Sequence, residues 1–338
     1  MPVNETLSQL SDWSYGSATA IYMLAVVLFL AQQAFGKRGA ESAARAAERP
    51  RTVASAGPSD TGVGGTGVAG GTAPGSAPGS TATRRYSGTA ERFGRMGVAL
   101  TVLGVLLHLA ALVLRGVATS RAPWGNMYEF IMALCLVAVV TWLVVLRKYT
   151  VRHLSAYVLL PVVVLLFLGG TLLYSTATPV QPALQSYWLV IHVSTAAVAS
   201  GIFLIPGVAS IGYLLQSAGE RNPARFAAMT RVLPPKETLD RIAYRTTVFA
   251  FPLFTFGVIA GAIWAEAAWG RFWGWDPKET VSFITWVIYA AYLHARSTAG
   301  WRGDRAAVIN ILGFAVVVFN LFFINLVIAG LHSYAQVD

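Results

Sequence analysis

Runs of about twenty apolar residues recur along this chain, the length needed for a helix to cross the hydrocarbon core of a bilayer. The chain has 338 residues, of which 55% are hydrophobic and 12% charged. A soluble domain carries about 25% charged residues, so this one has too little charge to coat a water-soluble globule. The sequence predicts an all-α polytopic membrane protein with about eight spans, near 13–36, 96–116, 127–146, 154–173, 188–215, 245–265, 281–299 and 307–331. A single cysteine, Cys135, lies inside an apolar run. It rules out an internal disulfide and a paired-cysteine redox motif, and reads as a small buried apolar residue.

Residues 37–95 separate the first span from the rest. Their middle, GPSDTGVGGTGVAGGTAPGS, offers almost nothing to bury and reads as a disordered linker. Three parts follow: an N-terminal transmembrane anchor over 1–36, the linker over 37–95, and a compact seven-helix body over 96–338 with a tryptophan-rich loop at 264–280. The first span is not expected to be a cleaved signal, because Glu5 and Asp12 precede or open it without any base.

Charge sets the expected orientation. Of the 25 Lys and Arg residues, 21 fall in the linker and in the loops after the third, fifth and seventh spans; only Arg115, Arg121, Arg271 and Lys278 fall on the other side. The positive-inside rule places the basic loops in the cytoplasm and both termini outside. The formal charge of +10 is thereby assigned to topology and anionic lipid headgroups, with no nucleic-acid partner. The segment 234–245, PPKETLDRIAYR, reads either as a surface amphipathic helix or as a plain connector.

The outward side then holds WGRFWGWDPKET, Trp269 to Thr280. Trp269, Phe272, Trp273 and Trp275 beside Arg271, Asp276, Lys278 and Glu279 make a surface suited to a flat apolar ligand with charged edges, such as haem. Lys278 or Arg271 would pair with a propionate, or else fix the loop. His192 and His332 fall in the same leaflet and suit the two axial positions of a haem iron. His294 lies deep in the seventh span, where a polar ring is a functional hypothesis by default; it faces the bundle or a partner. His108 lies midway along the second span, and His153 at the cytoplasmic edge.

These residues carry a resemblance. WGRFWGWDPKET resembles the tryptophan-rich signature of the CcsA/ResC family of System II cytochrome c biogenesis. PWGNMYEF (123–130), YWLVIHVS (187–194), YAAYLHAR (289–296) and GLHSYA (330–335) match in order, so the resemblance covers 96–338. It implies a haem-handling subunit of a holocytochrome c synthase in a bacterial plasma membrane. Such a subunit works with a CcsB/ResB-type partner to bring haem b to the outer face and attach it to the CxxCH motif of apocytochrome c. By the same resemblance the tryptophan loop is the haem platform, His192 and His332 are axial ligands, and His294 takes haem within the membrane. The competing reading is a di-haem b-type electron carrier, which needs a second histidine pair that only His294 and His108 are left to form.

Overall fold

The protein is described by a computed structural model over residues 3–48, 88–178, 185–230, 232–328 and 330–332, with side chains described in all but 37–48 and 227–229. The middle of the expected linker, 49–87, and the last residues of the GLHSYA match lie outside the described residues. Every regular element among the described residues is helical: α1 (Glu5–Glu48), α2 (Gly88–Thr119), α3 (Met127–Lys148), a 3-10 turn (Arg152–Leu154), α4 (Ser155–Thr171), α5 (Tyr187–Arg221), a short α6 (Pro223–Thr230), α7 (Lys236–Trp269), α8 (Pro277–Ser297) and α9 (Asp304–Phe319), which runs into a π turn (Asn320–Ile324). Helices pair the backbone groups of their interior turns internally, as lipid demands. Seven are long and apolar enough to cross a membrane. The remaining expected span, the seventh at 281–299, corresponds to α8, which is long enough, but polar and charged residues such as His294 and Arg296 lower its apolarity. Large apolar side chains such as Leu106 on α2, Phe249 on α7 and Val308 on α9 face outward, as in a multi-pass membrane protein.

Two boundaries differ from the sequence reading. The expected linker is helical at both ends, with α1 continuing to Glu48 and α2 starting at Gly88. The segment 234–245 is not a separate surface helix, because from Lys236 on it is the first part of α7.

The expected separation of the first span from the body is also corrected. Tyr15, Tyr22 and Phe29 of α1 are buried in the main core. They enter it because α2 and α4 present glycines. A Cβ on Gly104 would lie 2.5 Å from Tyr22, one on Gly97 2.9 Å from Phe29, and one on Gly170 2.9 Å from Tyr15. Without a hydrophobic force between helices in lipid, close backbone approach through small residues is the main source of packing. The same device sets α5 against α3, where a Cβ on Gly201 would be 2.5 Å from the Leu134 carbonyl, and α5 against α9, where Gly207 meets Phe314. Helix α5 thus forms the centre, packed by α3, α7 and α9.

Gly104→Leu is expected to lower the thermal unfolding midpoint in detergent, since overpacking costs about 1–3 kcal/mol. Gly16→Leu, at a site with nothing within 4 Å, should leave it unchanged. Equal midpoints for the two variants would contradict the packing of α1 into the core.

Candidate functional site

The tryptophan-rich loop is built on the N-terminus of α8. The first N–H groups of a helix have no intrahelical partner. Asp276 is the N-cap, accepting from the Lys278 N–H at 3.3 Å, and Glu279 reaches back to the Asp276 N–H at 3.2 Å, which completes a capping box. The Glu279 carboxylate also accepts the Gly274 N–H at 2.8 Å and pairs with Arg271 at 3.2 Å. The Arg271 guanidinium lies 5.7 Å from the centre of the Trp269 ring. A Cβ on Gly274 would stand 1.9 Å from the Arg271 guanidinium, so a side chain there would have to displace Arg271 from Glu279. Arg271 is therefore engaged in fixing the loop.

Asp276 also holds the chain terminus. It accepts the Leu331 N–H at 2.9 Å, and its other oxygen lies 2.9 Å from Nδ1 of His332. Burial pushes the Asp276 carboxyl up, but the Leu331 N–H and His332 outweigh it and hold it below the usual carboxylate range. Burial pushes the His332 imidazole below its ordinary value, and the nearby Lys278 adds to this, against the opposing pull of Asp276. A neutral His332 donating from Nδ1 to the carboxylate carries its lone pair on Nε2. His192, in the second turn of α5, reaches the same state by a different route: its Nδ1 lies 2.7 Å from the Gly257 carbonyl. A carbonyl only accepts, so Nδ1 bears the proton and Nε2 the lone pair. Second-contact hydrogen bonds of this kind orient an imidazole and raise its basicity as a metal ligand.

One buried ring joins the two histidines. Trp264 of α7 stacks on His192 at 6.1 Å between centroids and 11° between planes, and meets His332 edge-on at 5.8 Å. Trp269 packs on His332 at 5.0 Å and on Trp264 at 4.8 Å. Room for His192 comes from α7's own glycines, since a Cβ on Gly261 would lie 2.6 Å from its ring.

His192 and His332 line one cavity of about 1380 Å³, its open mouth included, together with Trp264, Phe272, Trp273 and Lys278. Lys278 Nζ lies 2.5 Å from Asn325 Oδ1 in its wall. The other expected site residues separate. Trp269 and Asp276 are behind the wall, supporting His332. Trp275 is 66% exposed with φ of 59° and is not in the lining. His294 lies in the last turns of α8, exposed and away from this cavity, which removes the bundle-facing option. His108 is buried between Tyr15 and Tyr22 of α1, at 6.4 and 5.9 Å. Sequence reasoning passed over Trp264, the Gly257–Gly261 pair and Trp124. The small-xxx-small spacing of 257–261 is the one signal that pointed to a close approach there.

Asp276→Asn removes the charge that holds the His332 proton while keeping an acceptor. The His332 titration midpoint, followed by imidazole nitrogen NMR, should then move further below the ordinary value. An unchanged or raised midpoint would contradict the pairing.

The family model described as cytochrome C assembly protein matches residues 124–332. The chain is 36% identical over 266 residues to the cytochrome c biogenesis protein CcsA of Guillardia theta, covering 72% of this chain and 86% of that one. It is 33% identical to CcsA of Mesostigma viride and 35% identical to CcsA of Parasynechococcus marenigrum, covering 86% and 85% of those proteins. In fold it is similar to the solved cytochrome c haem lyase CcmF, with a TM-score of 0.54 at 19% identity, over 95% of this chain and 47% of that one. Both the family match, which opens at Trp124 and closes at His332, and the identity to whole CcsA proteins lead to one assignment: the chain belongs to the cytochrome c assembly protein family, among the CcsA proteins.

Proposed function

We propose that this protein is the haem-handling membrane subunit of a cytochrome c synthase, and that the cavity between α5, α7, α8 and the tryptophan-rich loop holds haem b for attachment to apocytochrome c. The observation that carries this reading is the pair of histidines that line one cavity, each oriented by an acceptor at Nδ1. Two imidazoles supply both axial positions. Trp264 sets the spacing of the rings, while Trp273 and Phe272 offer aromatic area to the macrocycle. Lys278 offers a cation to its charged edge.

Attachment adds each cysteine S–H of the CxxCH motif across a haem vinyl group: a C–S bond forms, and the hydrogen goes to the other vinyl carbon. The thiols belong to the apocytochrome, so the buried Cys135 takes no part. The protein's share is to hold the vinyl groups where thiols can reach them, and such positioning supplies much of the barrier reduction in bimolecular reactions. One histidine must then yield to the histidine of the CxxCH motif. His332, held by Asp276 on the segment after the π turn, is the better leaving ligand; His192 is fixed within α5.

In this reading the cavity faces outward across a bacterial plasma membrane, the basic loops face the cytoplasm, and 49–87 tethers α1 and α2. The exposed His294 contacts haem within the membrane together with a ligand from a CcsB/ResB-type partner, which accounts for its place on the surface of α8. The di-haem carrier reading is disfavoured, because His108 is enclosed by α1 while His294 points out from α8.

His192→Ala and His332→Ala should each change the visible spectrum of the haem-loaded protein from six-coordinate low-spin. Unchanged spectra in both variants would overturn the reading. Trp273→Ala should lower haem retention by about tenfold or more, since stacking contributes about 0.5–1.5 kcal/mol beyond burial and about 1.4 kcal/mol is one decade. Trp275→Ala should do less, and the reverse order would contradict the cavity assignment. Retention should also hold as pH falls to about 6.5, the ordinary histidine value. Below it retention should decline, because protons compete for Nε2 only once the pH passes the lowered His332 value. A decline centred above 6.5 would exclude His332 as the titrating ligand.

A further inference from the structure

The loop between α2 and α3 repeats the construction of the tryptophan-rich loop. In each, an arginine pairs with a glutamate eight residues later: Arg121 with Glu129 at 2.8 Å, Arg271 with Glu279 at 3.2 Å. In each, that glutamate is the third residue of the following helix, and a loop glycine N–H donates to its Oε2, from Gly125 at 2.7 Å and from Gly274 at 2.8 Å. In each, the N-cap side chain, Asn126 or Asp276, accepts an N–H of the first turn. The residue before each of these glycines is a tryptophan, Trp124 or Trp273, and both line the cavity. The second loop has one residue fewer between arginine and tryptophan and one more between glycine and cap, Trp275, which takes up a positive φ.

The clamp on the first loop is strong. Glu129 and Arg115 are fully buried and 3.2 Å apart, and Arg115 also pairs with Asp12 and donates to the Ser175 carbonyl. Buried charges are tolerated when paired and hydrogen-bonded on all sides, and this set holds Trp124 in the cavity wall. The Trp124 indole N–H is buried and has no hydrogen-bond partner among the described residues. Indole is a donor only, and leaving a buried donor unmade is unfavourable. A ligand in the cavity that reaches this N–H must present an acceptor. On a haem the strong acceptors at the edge are the two propionates; the rest of the rim is methyl and vinyl.

We propose that the α2–α3 loop is the second wall of the ligand site and that the Trp124 N–H donates to a propionate of the bound macrocycle. This rests on the haem reading above and adds to it the residue that orients the ring, leaving the vinyl edge for the thiols. The charge of Lys278 in the same cavity favours an anionic edge.

The test uses the full-length protein in detergent with three probes: haem, iron-free protoporphyrin IX, and protoporphyrin IX dimethyl ester. The free acid should bind the wild type more tightly than the ester. Trp124→Phe retains the aromatic wall and removes the donor, so it should shrink that preference by about tenfold, the worth of a hydrogen bond to a charged group, at an unchanged thermal midpoint. Trp124→Met, which also lacks the donor, serves if the phenylalanine variant does not insert. An undiminished acid-over-ester preference would overturn the proposal. His332→Ala separates the two claims, because it should weaken haem and leave the iron-free acid and ester unaffected. If it weakens none of them, the haem-ligand reading fails while the acid-to-ester ratio still decides Trp124.

Discussion

The arrangement of this end of the bundle depends on the N-terminus of α8. Its unpaired N–H groups are satisfied by Asp276 and Glu279, and the same two carboxylates do everything else that gives the loop its shape. Glu279 gathers Gly274 and Arg271; Asp276 gathers Leu331 and His332. The cap is thus shared between the start of one helix and the chain end that follows another. Residues far apart in sequence, 276 and 332, are joined through a group whose first task is local.

The second half of the site depends on close helix packing. Helix α7 lacks side chains at 257 and 261, so His192 of α5 reaches its backbone and is fixed by the Gly257 carbonyl. One turn further along, Trp264 packs against both imidazoles. In lipid an unpaired imidazole N–H is unfavourable, so this bond secures helix packing and the orientation of the ring at once. The glutamate clamp at 129 repeats the logic of 279, and together the two loops place a tryptophan on either part of the cavity wall.

Much of this was legible in the sequence. Apolar run lengths located the spanning helices, although α1, α2 and α7 extend well past the expected bounds. The crowding of aromatic and charged residues at 269–280 marked the site. What the runs do not carry is facing: a segment apolar on all sides says that it spans, not which side is buried. For that reason α1 read as a detached anchor although Tyr22 and Phe29 lie in the core, and the exposure of His294 was not readable. Trp264 was hidden for a similar reason, since a tryptophan at the end of an apolar run reads as an interface residue. Trp275 was over-read, because its neighbours are in the cavity wall and a backbone turn at positive φ sends it outward. Asp276 was read as touching the ligand; its hydrogen bonds show it holding Leu331 and His332.

The central claim is that one iron sits between His192 and His332. The most direct measurement is an experimental structure of the haem-loaded protein in a membrane-like environment. The account expects the porphyrin in the cavity beside Trp264, with iron bonded to Nε2 of both histidines. A haem bound elsewhere, or ligated by neither residue, would contradict it.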